Sequence, residues 1–325
     1  MTTTASATGA AAPTAARWLF APLPVARVAW LRTLVYLFVP LDVLVTTPWV
    51  ARHDTAPASL YRPLQLDRLL GLPAPTTVVV HVVEIALLAA SLAAATGRLP
   101  RLLGSAVLVL YLEWMLIAFS WGKVDHDRFA FLVALAVLPT AGRATRHNLG
   151  TSEAAGFALR VTGLAVVATY LLSVVAKARF GGGVLHWLDS AVFVRAVLRR
   201  GTALGTPLLN HTWALHAGQY VLVALELASP LLLVLRGQAL WLLIGGYVAF
   251  HLMTWASIGI VFLPHLVCLL ALLPLERLSG GTRPLRWRQR AGGGAAGELA
   301  AVSGDGGVDA GSQPRQRRRQ QQRTR

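Results

Sequence analysis

An all-α, polytopic transmembrane bundle of about eight membrane helices is the fold class that the sequence predicts. Three observations carry it. Of the 325 residues, 55% are hydrophobic and only 14% are charged, whereas soluble globular chains carry about 25% charged residues. Apolar runs near the length needed to cross a bilayer recur along the chain. A single cysteine, Cys268, excludes an internal disulfide framework. Such hydrophobicity also excludes disorder of the whole chain.

The runs fall in order at 28–46, 76–95, 102–120, 127–140, 157–176, 212–235, 238–256 and 258–275. The first contains Pro40 and Asp42, and the second follows a turn-rich stretch with Pro63, Gly71, Pro73 and Pro75. Pro100 precedes the third, and Pro139 ends the short fourth. The fifth leads into a long connection, 177–211, with the triple glycine Gly181–Gly183 and an amphipathic stretch near 184–200. The last two runs read as a hairpin turning at Ser257–Gly259. Residues 1–24 read as a flexible leader, since 1–16 lack the basic and apolar regions of a cleavable signal. The bundle is expected over 25–278.

The formal charge of +16 has a local origin. Residues 279–325 hold ten arginines against three acids, a net +7 that leaves +9 for the rest. This Gly- and Arg-rich tail has no apolar period and reads as disordered. An Arg-rich end beside a membrane helix marks the cytoplasmic side. With no folded reader module beside it, the tail is not read as a nucleic-acid binder. An even number of spans puts both termini in the cytoplasm of a multi-pass cell-membrane protein. Arg98, Arg101, Arg143, Arg146 and Arg236 then agree with the positive-inside rule, while Arg195, Arg199 and Arg200 fall on the opposite side.

The informative residues are those the bilayer penalises. Tyr170, Ser173 and Lys177 stand at i, i+3 and i+7 and share one helix face. A lysine in an apolar pocket can act as a base, or it snorkels to the interface beside Arg179. In WGKVDHDR, His126 lies between Asp125 and Asp127, suited to proton handling or to a solvated loop. His251, with Tyr247 and Trp255 four residues to either side, forms a stripe that lines a ligand pocket or simply packs the core. Glu84, Glu113 and Glu226 are intramembrane carboxylates, either proton-relay groups or structural partners. Ten tryptophans suit interfacial belts, with Trp187 set apart beside the glycine cluster. No CxxC, metal-spaced Cys/His set, phosphate loop or dinucleotide fingerprint occurs, so no metal and no cofactor is evident.

Four segments in order resemble the transmembrane part of vitamin K-dependent γ-carboxylases and their bacterial relatives, which share the HTTM domain. They are WGKVDHDRFAFLVAL, YLLSVVAKARFGGGVLHWLDSAVF, LELASPLLLVL and FHLMTWASIGIVFLPHLVCLLALLP. The resemblance covers about residues 20–277. It implies a bundle of some eight helices in which a reduced vitamin K or menaquinol-type hydroquinone is the co-substrate. It further implies Lys177 as the base that deprotonates the hydroquinone, His126 as an active-site histidine, and His251 as the histidine of the later helix pair. Tyr170, Trp187, Trp255 and Glu226 join these as candidate substrate-binding residues.

Two departures qualify what is implied. Lys177–Ala178–Arg179 stands where the family has two adjacent lysines, and the Gly/Arg tail stands where it carries a large soluble domain. Quinol oxidation without glutamyl carboxylation of a protein is therefore the expectation. The rival reading is a non-catalytic membrane protein, a transporter-like bundle or an immunity or signalling partner. The expected partners are the lipid bilayer and a membrane quinol, with the protein partner left open.

Overall fold

The computed structural model describes residues 14–72, 74–122 and 126–280. The first thirteen residues, Asp125 and the Arg-rich tail beyond Gly280 lie outside the described residues.

The leader expected to stay flexible to residue 24 takes up structure sooner. Thr14–Leu19 is a short helix, α1, and Leu23–Pro24, β1, pairs antiparallel with Thr151–Ser152, β2. Phe20 stacks on Phe157 with ring centroids 5.2 Å apart, and Arg160 covers the Trp18 ring. Arg160 also donates to the Ala21 carbonyl. A Cβ at Gly156 would lie 2.2 Å from that same carbonyl oxygen, so only glycine admits this approach.

The remaining helices are α2 (Val25–Leu41), α3 (Gln65–Leu70), α4 (Thr77–Ala95), α5 (Pro100–Phe119), α6 (Phe129–Val137) and α7 (Glu153–Phe180). They continue with α8 (Val184–Leu188), α9 (Val192–Arg200), α10 (Thr212–Ala228), α11 (Leu231–Val234), α12 (Gly237–Ile258) and α13 (Leu263–Leu269). Among the described residues, five helices are long and apolar enough to cross a bilayer: α2 extended to Thr46, α4, α5, α7 and α12. The other three apolar runs break into shorter pieces. The fourth yields the nine-residue α6, ended by a 3-10 turn through Pro139. The sixth is cut at Ser229–Pro230 into α10 and α11. The eighth yields α13, seven residues with Pro264 in its first turn, and a further 3-10 turn. Proline lacks the N–H that continues a helical ladder, and its ring clashes with the preceding turn. The turn expected at Ser257–Gly259 is present, with Gly259 in the left-handed region at φ +68°.

Pro40 has a second consequence. The ladder of α2 loosens into a π-turn over Asp42–Thr46, and the Thr47 N–H donates back to the Asp42 carbonyl at 2.7 Å. This rotation directs Asp42 into the core, where it is fully buried. The Tyr111 hydroxyl donates to its Oδ2 at 2.7 Å, and the Arg128 guanidinium approaches its Oδ1 at 3.3 Å. Arg128 also donates to both Asp127 oxygens at 2.9 and 3.0 Å. The buried carboxylate in the first run is thus held by a cation from the far side of α5. Nearby, Trp114 donates to the Thr47 hydroxyl at 3.0 Å, and Phe131 stands edge-on to Tyr111 at 5.1 Å.

At the other end of α2, Arg27 grips Glu276 through two bonds of 2.7 and 2.6 Å. Trp30 donates to the Ser279 hydroxyl at 2.9 Å. Partial burial would raise the Glu276 carboxyl, but the Arg27 bond and charge hold it below its ordinary 4.5.

Removing the Arg128 cation leaves Asp42 in the core without its counter-charge. Arg128→Met is expected to cost about 3–5 kcal/mol, read as a lowered unfolding midpoint in detergent. For Glu276, a depressed folded-state value means that the clasp contributes fully above about 4.5 and is lost as pH falls through the lowered value. Protection of the amides of residues 275–279, corrected for the intrinsic exchange rate at each pH, should therefore fall on acidification, and Glu276→Gln should abolish this pH dependence.

Candidate functional site

Between α7, α9, α10, α12 and α13 lies a cavity of about 890 Å³, within the usual range for a small-molecule site. Its walls are mainly apolar, with Phe193, Val197, Leu222, Phe250 and Phe262 among them. A few polar groups converge on it.

Lys177 is the most constrained of these. It sits in the last turn of α7, where the helix dipole favours a cation. Its ammonium donates to Ser173 Oγ at 2.7 Å and to the two Glu226 oxygens at 2.7 and 2.9 Å. The side chains of this pair are only 11% and 5% exposed. Lys177 Nζ also lies 5.0 Å from the centre of the Trp187 ring. Of the two readings of Lys177, a snorkelling cation and a pocket group, the geometry matches the second.

The glycine cluster explains how Trp187 reaches this position. A Cβ on Gly181 would come within 2.5 Å of the Lys177 carbonyl oxygen and 2.9 Å of the Trp187 ring. Gly182 and Gly183 have φ of +75° and +110°, conformations that side chains with a Cβ rarely adopt. The chain therefore folds back over the end of α7 and lays α8 and α9 across the cavity.

Gln219 on α10 secures that segment. Its side-chain amide donates to the carbonyls of Leu188 and Ser190 at 2.9 and 3.0 Å, and its oxygen accepts from the Phe193 N–H at 2.9 Å. On the far side, Gly205 packs directly on the end of α12, where a Cβ would lie 1.9 Å from the Ser257 carbonyl oxygen.

Deeper in the cavity, the Tyr170 hydroxyl and His251 Nε2 are hydrogen-bonded at 3.0 Å. The Tyr170 and Tyr247 rings lie 4.5 Å apart, and the Tyr247 hydroxyl donates to the Leu225 carbonyl at 2.6 Å. His265 stands edge-on to Tyr170 at 4.7 Å and 5.9 Å from the His251 ring. It is buried, and neither ring nitrogen has a hydrogen bond among the described residues. His126 is exposed at the edge of the cavity, 6.3 Å from Phe262.

Six of the seven predicted site residues thus line one cavity: Lys177, His126, His251, Tyr170, Trp187 and Glu226. Trp255 does not, and is 54% exposed. The stripe expected through Tyr247, His251 and Trp255 fails because eight residues at 100° each leave Trp255 about 80° from Tyr247. Its indole suits the bilayer interface near the end of α12. Glu84 pairs with His81 at 3.3 Å on α4. Glu113 is half-buried on α5, and neither of these carboxylates lines the cavity. Asp127 lines it while accepting from Arg128.

Sequence reasoning missed His265 and Gln219. The signal for His265 was available, a histidine within the apolar run FLPHLVCLL. Gln219 had only its polarity in an otherwise apolar helix. No family model, curated protein or solved structure matches the chain.

Replacing Gln219 by leucine strands several carbonyls at the cavity wall. A loss of about 1–3 kcal/mol is expected, accompanied by faster hydrogen exchange confined to residues 184–200.

Proposed function

We propose that the chain is an HTTM-domain protein of the cell membrane that oxidises a quinol of the reduced vitamin K or menaquinol type. One observation carries this reading. A single apolar cavity gathers Lys177, Glu226, Tyr170, His251, Trp187 and His126 from five separate stretches of the chain. These stretches include the segments on which the resemblance to vitamin K-dependent γ-carboxylases rests.

The chemistry follows from the dry setting of the ion pair. Two charges held out of water are costly. Transfer of the Lys177 proton to Glu226 leaves a neutral amine beside a neutral acid. The amine then accepts the proton of a quinol hydroxyl, giving an ammonium beside a quinolate. Dioxygen is the oxidant. One oxygen atom enters the ring as the epoxide, and the other leaves as water with the two hydroquinone protons. Trp187 and Phe193 meet edge to face with ring centroids 6.2 Å apart and give the aromatic head an apolar wall to pack on. Tyr170 and His251 are positioned to bond its second oxygen. The isoprenoid tail leaves by the cavity edge into lipid. Carboxylation of a protein glutamate is not part of this proposal.

The proposed arrangement in the membrane has eight crossings, with α6, α10–α11 and α13 completing the five long helices. Both termini then face the cytoplasm, in keeping with most loop arginines.

One observation favours a second reading, a non-catalytic bundle that holds an apolar ligand without turning it over. Lys177 is already paired, as a structural lysine would be. Incubating the purified protein with a vitamin K-type hydroquinone in air separates the two. The proposal predicts oxygen-dependent epoxide formation, reduced about 10²–10⁴-fold by Lys177→Ala. No turnover by the wild type, or equal turnover by both proteins, contradicts it. Quinol binding without turnover would select the second reading.

A further inference from the structure

The segment that covers the cavity also has an outer surface, and its charge has no partner within the bundle. Arg195, Arg199 and Arg200 are exposed on α9, with no hydrogen bond or ion pair among the described residues. The one acid between residues 178 and 211 is Asp189, which accepts from the Tyr220 hydroxyl at 2.7 Å. Large apolar side chains in α9 and shortly after it are exposed as well: Leu198 is 68% exposed, Leu204 72% and Trp213 72%. Val192, Phe193, Ala196 and Val197 of the same helix wall the cavity; at about 100° per residue Arg195, Leu198 and Arg199 point away from that face, while Arg200 extends from the helix's C-terminal end.

At about 14 Å, α9 spans less than half a bilayer's hydrocarbon core, and its three arginines bar it from that core. A short helix whose arginines flank an exposed leucine instead lies in the plane of the interface. Guanidinium groups bind phosphate through paired N–H bonds, and their aliphatic stems rest on apolar surface.

We propose that the outer face of α9 is a docking surface for anionic phospholipid. Arg195, Arg199 and Arg200 bind the headgroup phosphates, while Leu198 and Leu204 dip toward the acyl chains. Charge complementarity selects anionic over zwitterionic lipid, since three exposed cations fall within six residues of a short helix that carries no acid. Each arginine at a membrane surface is worth about fivefold in affinity for anionic lipid. The assignment also accounts for a discrepancy in the loop charges. In the proposed eight-crossing arrangement, these three arginines fall on the side opposite Arg98, Arg101, Arg143, Arg146 and Arg236, where the positive-inside rule does not call for them. Since α9 is also a cavity wall, headgroup binding would steady that wall. The proposal is independent of the quinol reading.

Peptide-resolved hydrogen exchange of the full chain in nanodiscs tests it. The lipid is phosphatidylcholine alone, or phosphatidylcholine mixed with phosphatidylglycerol. Amides of residues 192–200 are expected to exchange at least about fivefold more slowly with phosphatidylglycerol present. The combined variant Arg195→Gln, Arg199→Gln and Arg200→Gln should lose this difference. High salt, which screens surface charge, should reduce it in the wild type and keeps the test independent of how the variant folds. Reading these amides alone separates α9 from the Arg-rich tail. Equal exchange in the two lipids, a difference that survives the variant, or one indifferent to salt would overturn the proposal.

Discussion

The Lys177–Glu226 pair is the constraint around which the cavity is organised. A buried lysine and a buried glutamate are each unfavourable away from water, and they are tolerated together because each neutralises the other. Their contact fixes the end of α7 against α10. It also fixes where the chain must turn after Phe180, because Trp187 lies over the ammonium and Gly181 leaves room for its ring. The carboxylate of Glu226 is therefore as much a part of the architecture as any apolar side chain. The same logic recurs at Asp42 and Arg128, where a charge displaced inward by the π-turn after Pro40 meets a cation from the start of α6.

Two kinds of element hold the cavity open. Long helices α7 and α12 supply rigid walls, and the α8–α9 segment closes the remaining side without crossing the bundle. That segment depends on a few specific features: glycines with positive φ, the amide of Gln219, and the close approach of Gly205 to α12. A cover built from short helices can move at lower cost than a span, since few buried contacts hold it. This suits a site whose proposed ligand arrives from lipid.

Much of this was legible in the residues. Five apolar runs became helices within a few residues of their expected limits, because length and hydropathy together define a span. The spacing of Tyr170, Ser173 and Lys177 correctly put them on one side of α7, since helical period is local information. What escaped was information carried between helices. Nothing in the spacing of Lys177 and Glu226, 49 positions apart, announces their contact, and the same holds for Asp42 and Arg128. The shortness of α6 and its end at Pro139 were legible, but the breaks that make α11 and α13 short escaped, since a hydropathy run does not record where proline interrupts the ladder. The Trp255 error came from extending a facing stripe over eight residues, farther than helical geometry allows.

The central claim is that Lys177 and Glu226 interact directly in a low-dielectric site. A double-mutant cycle on stability, using Lys177→Met, Glu226→Gln and the two combined, measures that interaction most directly. Each single change should be severe and the combined variant should recover part of the loss, with a coupling of about 2 kcal/mol or more. Losses that add to within about 0.5 kcal/mol would contradict it, because independent side chains would behave in that way.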